Sequence, residues 1–196
     1  MLFRSVSQSR YPAVLDELEA MNSPQYQEIV LTGGIGSAKT TCALYTTAYQ
    51  VYLLSCMKSP HAQFGLDSSS EILFVFQSIN AKISKASFER FRSMIEGSKY
   101  FQDNFAPNKD IASKLVFPNR IEVVPVSGAE TAAIGQNVIG GFIDELNYMQ
   151  VTERSKQSVD GGTYNQAVAL YNSIARRRKS RFLKGGQCLG NSVLVS

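Results

Sequence analysis

Two short stretches of this chain carry side chains able to manage phosphate chemistry. The first, Glu28 to Thr41, reads EIVLTGGIGSAKTT. Lys39 offers a point positive charge suited to the β- and γ-phosphates of a nucleotide, and Thr40 offers a hydroxyl suited to Mg²⁺. Gly33, Gly34 and Gly36 let the backbone bend and approach a phosphate closely. With Ile35, Ser37, Ala38 and Thr41 they form a loop whose N–H groups, continued by a helix N-terminus, face an anion. The spacing matches G-x-x-x-x-G-K-[ST] except at Ala38, where the pattern has Gly. If that position needs a positive φ, Ala costs roughly 1–2 kcal/mol. If it is already helical, Ala costs nothing. A solvated lysine on a Gly-rich strand-to-helix turn is the plainer alternative.

The second stretch, VIGGFIDE from Val138 to Glu145, is an apolar strand that ends in two adjacent carboxylates. Acids emerging at the C-terminal end of a buried strand lie where open α/β sheets hold ligands. Asp144 fits the acid that holds Mg²⁺ directly or through water. Glu145 fits the base that polarises a water for attack on a γ-phosphate. An Asp-Glu pair capping a following helix is the structural alternative. Two half-sites of one magnesium-nucleotide centre in a single chain support each other.

The elements that must position these groups alternate. Residues 1–27 read as a polar lead-in with a turn at Tyr11-Pro12, a short amphipathic helix from Ala13 to Met21, and a break at Asn22-Ser23-Pro24. Gln25 or Tyr26, just before the first strand, could cradle an adenine or simply sit on the surface. Residues 28–196 read as one P-loop ATPase domain. A helix spans Thr40 to Cys56, a long loop Met57 to Ser70, and a buried parallel strand Glu71 to Gln77. Ser84 to Glu96 is a helix stopped by Gly97. Phe101 to Asn108 is irregular, and Lys114–Phe117 with Arg120–Val126 form a hairpin-like pair. A polar loop from Ser127 to Gln136 leads to the acidic strand. Leu146 to Gly162 is a loop, Tyr164 to Lys179 a helix with a basic end, Gly185-Gly186 a turn, and Leu189 to Ser196 a strand. The alternation predicts an α/β fold with a mostly parallel central sheet flanked by helices. A Glu beside the Asp is the arrangement of additional-strand P-loop ATPases. A chain stopping within an apolar strand suggests that a further region follows in the parent protein.

Composition narrows the rest. The chain has 196 residues, 44% hydrophobic and 18% charged, which suits one globular domain. No run approaches a membrane span, and MLFRSVSQSRYP lacks the apolar stretch of a signal peptide. Cys42, Cys56 and Cys188 have no paired spacing and read as buried apolar residues, and His61 reads as a loop residue. The net charge of +4 is uneven: residues 151–196 hold eight Lys/Arg against two acids. A basic C-terminal part suits either nucleic acid or a solvated helix face.

Four segments together, GGIGSAKTT, NRIEVVPVSG with AAIGQNVIGGFIDELNYM, YNSIARRRKSRF and NSVLVS, resemble the ATPase domain of a tailed-phage terminase large subunit. The resemblance runs from about Glu28 to Ser196. It implies a DNA-packaging motor with ATP and Mg²⁺ as substrate and cofactor. It also implies a homo-oligomeric ring on a procapsid portal protein, working with a small terminase subunit on double-stranded DNA. The setting would be the infected host's cytoplasm, transiently on the procapsid, with no membrane. Carried over, Lys39 and Thr40 are the Walker A lysine and magnesium-binding hydroxyl, Asp144 the Walker B acid, and Glu145 the catalytic glutamate. Ser196 begins the coupling motif. Many relatives have Arg at the position of Ile35, so that arginine's role is absent or moved here. The family's nuclease domain would lie beyond residue 196.

The run Arg176, Arg177, Arg178, Lys179, Arg181 has three readings. Arg178, or one of Arg176, Arg177 and Arg181, reaches a neighbouring subunit's γ-phosphate as an arginine finger. Alternatively the run contacts DNA phosphates, or it is a solvated helix end favoured by the macrodipole. For the whole chain, the rivals to a packaging motor are another nucleic-acid-dependent, helicase-like P-loop ATPase and a hydrolysis-deficient nucleotide-binding assembly module.

Overall fold

The computed structural model describes residues 12–127, 136–153, 163–184, 187–188 and 190–196. The expected Tyr11 turn, most of the loop between Ser127 and Gln136, and the Gly185-Gly186 turn lie outside the described residues. Helix α1 (Pro12–Met21) leads into β1 (Glu28–Leu31), then α2 (Lys39–Ser55), the short α3 (Pro60–Phe64), β2 (Ile72–Ser78), α4 (Ala81–Glu96) and α5 (Lys99–Asn104). Strands β3 (Leu115–Phe117), β4 (Ile121–Ser127) and β5 (Val138–Ile143) follow. The chain then forms a small ladder of β6 (Val151–Thr152) with β7 (Tyr164–Asn165), the helix α6 (Gln166–Phe182), a second ladder of β8 (Leu183–Lys184) with β9 (Gln187–Cys188), and β10 (Ser192–Val195).

The main sheet runs β1-β10-β5-β2-β4-β3. All neighbours are parallel except the β3–β4 hairpin. β2 and β5 are buried along their whole length, as continuous apolar runs in a parallel sheet require. One face carries the larger core, where Phe74, Phe76 and Phe142 meet Val51 and Leu54 of α2 and Phe88, Phe91 and Ile95 of α4. The other face packs Leu73, Val75 and Ile143 against Leu170 and Ile174 of α6. This is the expected mostly parallel sheet between helical layers.

Four local expectations change. Residues 12–27 are more than a lead-in, because Leu18 and Met21 of α1 are buried in the core. The Met57–Ser70 segment contains α3, capped by the Ser59 side chain and closed by Gly65 at φ 66°. His61, expected in a loop, is buried in α3, and its Nε2 donates to the Ser70 carbonyl at 2.8 Å. The Phe101–Asn108 stretch begins inside α5, which buries Phe101.

The pairing of β2 with β5 contains one irregularity. Leu73 faces Val138, but the next residue, Phe74, faces Gly140, so β5 uses an extra residue there. Ile139 packs in the α2-side core, and a Cβ on Gly140 would stand 2.9 Å from Gln50 Oε1 of α2. Two consecutive residues thus turn to one face, which marks a β-bulge. Gly141 follows at φ +129°, where a Cβ would lie 2.1 Å from the Val75 carbonyl oxygen.

Candidate functional site

β1, β10 and β5 end side by side, and a cleft of about 1100 Å³ opens over their C-terminal ends. It is lined by the loop after β1, the start of α2, Asp144 and Glu145 after β5, Val195 at the end of β10 with Ser196 beyond it, and Arg90 of α4. The structure therefore brings Gly33, Ile35, Gly36, Ser37, Ala38, Lys39, Thr40 and Thr41 together with the acid pair. β10 lies between the strands carrying the two motifs, which is the additional-strand arrangement.

The loop is bound to itself through its lysine. Lys39 Nζ donates to the carbonyls of Gly33 at 2.6 Å and Gly34 at 2.9 Å, and approaches Ser37 Oγ at 3.4 Å. Ser37 Oγ donates back to Gly34 O at 2.8 Å. Gly33 at φ +152° and Gly36 at φ +86° provide the bends. Ile35 is fully exposed at the loop tip. Ala38 takes φ 61° and ψ 16°, so the first of its two sequence readings holds: an L-residue occupies a left-handed position. It is the N-cap of α2, its side chain makes no capping hydrogen bond, and its carbonyl accepts the first helical bond from Cys42 N at 2.9 Å.

Asp144 is 5% exposed. Its Oδ1 accepts from the Glu145 backbone N–H at 3.1 Å, and its Oδ2 lies 3.5 Å from Ser87 Oγ of α4. Burial, and then the charge of Glu145, push its carboxyl above the usual range; the Glu145 backbone N–H, then Ser87 and the nearby Arg90 charge, pull it only partly back. Glu145 sits at φ 59° and ψ 41°, the second non-glycine residue of the cleft lining in the left-handed region, and it caps the short 3₁₀ turn Leu146–Tyr148. Backbone strain of this kind persists where the surroundings hold it, commonly at functional sites. Ser196 joins the site just after β10: its N–H donates to Leu31 O at 3.0 Å, and Asn147 Nδ2 donates to its hydroxyl.

The donor set fits a magnesium nucleotide. A hard cation takes oxygen ligands, one or two from carboxylates and others from substrate phosphates. Thr40 and the desolvated Asp144 offer such oxygens on one cleft, beside a loop of N–H donors and a lysine. The acid pair does not depend on a following long helix, since only a three-residue 3₁₀ turn comes next.

Three expectations do not hold. Gln25 and Tyr26 precede the N-terminal end of β1, at the opposite end of the strands from the cleft. Tyr26 instead lines a separate cavity of about 470 Å³ with Tyr49, Gln50 and Phe182. Neither residue is brought to the site, because the strand itself separates them from the loop. Arg178 is also misplaced as an intersubunit finger. Its side chain is 0% exposed, and its guanidinium donates to Glu28 Oε1 at 3.1 Å, to Gly190 O at 3.1 Å and to the Gln27 carbonyl. It fastens the end of α6 to the start of β1. Glu28 also accepts from Tyr171 Oη at 2.6 Å and faces Lys179 at 3.5 Å. These contacts, the tyrosine hydroxyl first, hold its carboxyl below the usual range. Arg176 and Arg181 are exposed and Arg177 is half-buried, so the basic run is divided between anchor and surface.

Sequence reasoning missed Arg90 and Ser87. The available signal was their spacing: Ser84, Ser87 and Arg90 recur every third residue on a helix whose other inward positions are Phe88, Phe91 and Ile95. Ser84 and Ser87 are buried, and Ser84 Oγ donates to Phe76 O at 2.8 Å.

A glycine-rich loop with its lysine at the end of a parallel strand, facing an acid pair across one intervening strand, defines a P-loop domain of the additional-strand kind. Within that class, the chain belongs to the family described as the N-terminal P-loop domain of uncharacterized protein MJ0330, whose model matches residues 3–192. The crystal structure of the HK97 bacteriophage large terminase shares the fold, with a TM-score of 0.55 and 14% sequence identity. That match covers 95% of this chain and 33% of the other, so the chain spans about a third of the length of that terminase. No curated protein matches the chain. Among the described residues, no helix is long and apolar enough to cross a membrane.

Proposed function

We propose that this domain binds ATP with Mg²⁺ and hydrolyses it, as the motor of a viral genome-packaging terminase that moves double-stranded DNA into a procapsid. One observation carries the hydrolytic part: Lys39, Thr40, Asp144 and Glu145, from two motifs about a hundred residues apart in sequence, line one cleft. The motor part is supported by the fold shared with the HK97 large terminase and by the terminase-like segments of the sequence.

Catalysis here is electrostatic and positional. The N–H groups of the loop and of the α2 N-terminus hold the phosphates. Lys39 exchanges its carbonyl partners for phosphate oxygens. Thr40 and Asp144 hold Mg²⁺, which supplies charge neutralisation at the phosphates when bound. Glu145 orients the attacking water and accepts its proton. Arg176 or Arg181, exposed on α6, would complete a neighbouring site in a homo-oligomeric ring on a portal protein. Ser196, tied to both Leu31 and Asn147, would pass the change at the phosphates into β10.

The test is ATP turnover per molecule against protein concentration, with Glu145→Gln as the blank. Turnover that rises with concentration supports sites completed between subunits. Flat turnover stimulated by single-stranded nucleic acid favours a helicase-like ATPase. ATP binding without turnover, even in an assembled motor, assigns a binding-only module. Unchanged ATP affinity in Lys39→Ala would refute the nucleotide site itself.

A further inference from the structure

Arg90 stands in the cleft without a part in the mechanism above. Its Nη2 donates to Thr41 Oγ1 at 3.2 Å, and it lines the same space as Lys39, Asp144 and Glu145. Lys39 and Arg90 are the two cationic side chains among the lining residues. They come from different directions. Lys39 follows β1, whereas Arg90 lies on α4 after β2, and the sheet order places β5 with its acid pair between those strands. Ser87, one turn earlier on α4, touches the Asp144 carboxylate, so this helix is already part of the acid side of the site. The Thr41 bond uses one donor of a guanidinium that has five and holds the group at the cleft wall. The side chain is exposed and lines the cleft, with four donors that the Thr41 bond does not use. A planar fork of N–H donors there matches a phosphate oxygen pair better than a point charge does.

We propose that Arg90 contacts the terminal phosphate of a nucleoside triphosphate held by the Gly33–Thr40 loop, from within the same chain, and makes the site prefer triphosphate over diphosphate. This rests on the nucleotide site proposed above. It is independent of assembly, because the cation and the loop belong to one subunit.

The experiment is calorimetric titration of the full chain with Mg-AMP-PNP and with Mg-ADP, for wild type, Arg90→Ala and Arg90→Lys, with Lys39→Ala as reference. Loss of a charge-assisted hydrogen bond predicts that Arg90→Ala weakens AMP-PNP about 10- to 100-fold and leaves ADP within about twofold. Arg90→Lys, which keeps charge and stem but loses the fork, should fall between. Should Arg90→Ala fail to fold, Arg90→Lys decides: an unchanged AMP-PNP to ADP ratio overturns the proposal. An unchanged ratio in Arg90→Ala overturns it as well. So does an equal loss for both nucleotides, which would make Arg90 a brace for Thr41. If wild type binds neither nucleotide and matches Lys39→Ala, the proposed function fails and takes this inference with it.

Discussion

Ala38→Gly should stabilise the protein, reversing the usual effect of placing glycine at a helix. Within a helix, Ala to Gly costs about 1 kcal/mol. Here the residue sits at φ 61° and ψ 16°, ahead of the first helical residue. An L-residue in that well carries roughly 1–2 kcal/mol of strain. Glycine removes the strain but returns about 0.4–1 kcal/mol through the greater freedom of its unfolded chain. It is also preferred over alanine at an N-cap. The net gain is about 0.5–1 kcal/mol. For a domain of this size that raises Tm by about 1–4 °C. Thermal melts of the two proteins at matched concentration read this directly. Nucleotide affinity, measured in parallel, should not fall, since the methyl leaves the loop that faces the phosphates. A Tm drop of several degrees would show that residue 38 is helical, and the strain argument would be wrong.

Other expectations follow from the site and its supports. Glu145→Gln should keep ATP affinity within about threefold and lose most turnover, which single-turnover assays with labelled ATP will read. Asp144→Asn should be more stable than wild type at pH 7, because the folded state holds this carboxyl above its ordinary value. The wild type loses stability as pH rises from the ordinary carboxylate range through that raised value. The gap between the two proteins should therefore close on acidification, and melts at neutral pH and near pH 4 test the sign. Glu28→Gln removes the carboxylate facing the fully buried Arg178 guanidinium. It should cost about 1–3 kcal/mol, allowing for screening of a partly exposed acid. The loss should shrink as pH falls through the lowered value of Glu28, which urea titrations at two pH values can follow. Gly141→Ala should be among the most damaging single changes, at about 4 kcal/mol or more, because its Cβ would meet the Val75 carbonyl; soluble yield and melting will show it.

The two motifs, the parallel sheet and the hairpin were legible in the sequence because each is written locally. The pattern GGIGSAKTT is contiguous, EILFVFQ is an unbroken apolar run, and FIDE places its acids at a strand end. What was not legible depends on distant partners. Whether an arginine in RRRK is solvated or buried is decided by Glu28, 150 residues away. Arg90 enters the site only because β2 lies beside β5. Gln25 and Tyr26 are adjacent to β1 in sequence, yet the length of the strand keeps them at its far end from the cleft. α3 and α5, at five and six residues, are too short to show helical periodicity.

The extra residue in β5 absorbs a change of phase within one strand. Along a strand, each added or removed residue exchanges the two faces. Ile139 and Gly140 share one face, so everything after them is displaced by half a period from everything before. Asp144 points toward α4 and the loop because Gly140 to Ile143 then pair one-to-one with Phe74 to Gln77. Loss of Ile139 would let β5 pair one-to-one with β2 and leave Gly140 to Ile143 with their present partners, whereas loss of a residue after Gly141 has no bulge to absorb it and would hand the place of the aspartate to Glu145 and send the aspartate to the α6 side. Between Gly141 and Asp144, spacing is under tighter constraint than residue identity. Deletion libraries should find a sharp intolerance there that substitution libraries, Gly141 apart, would understate.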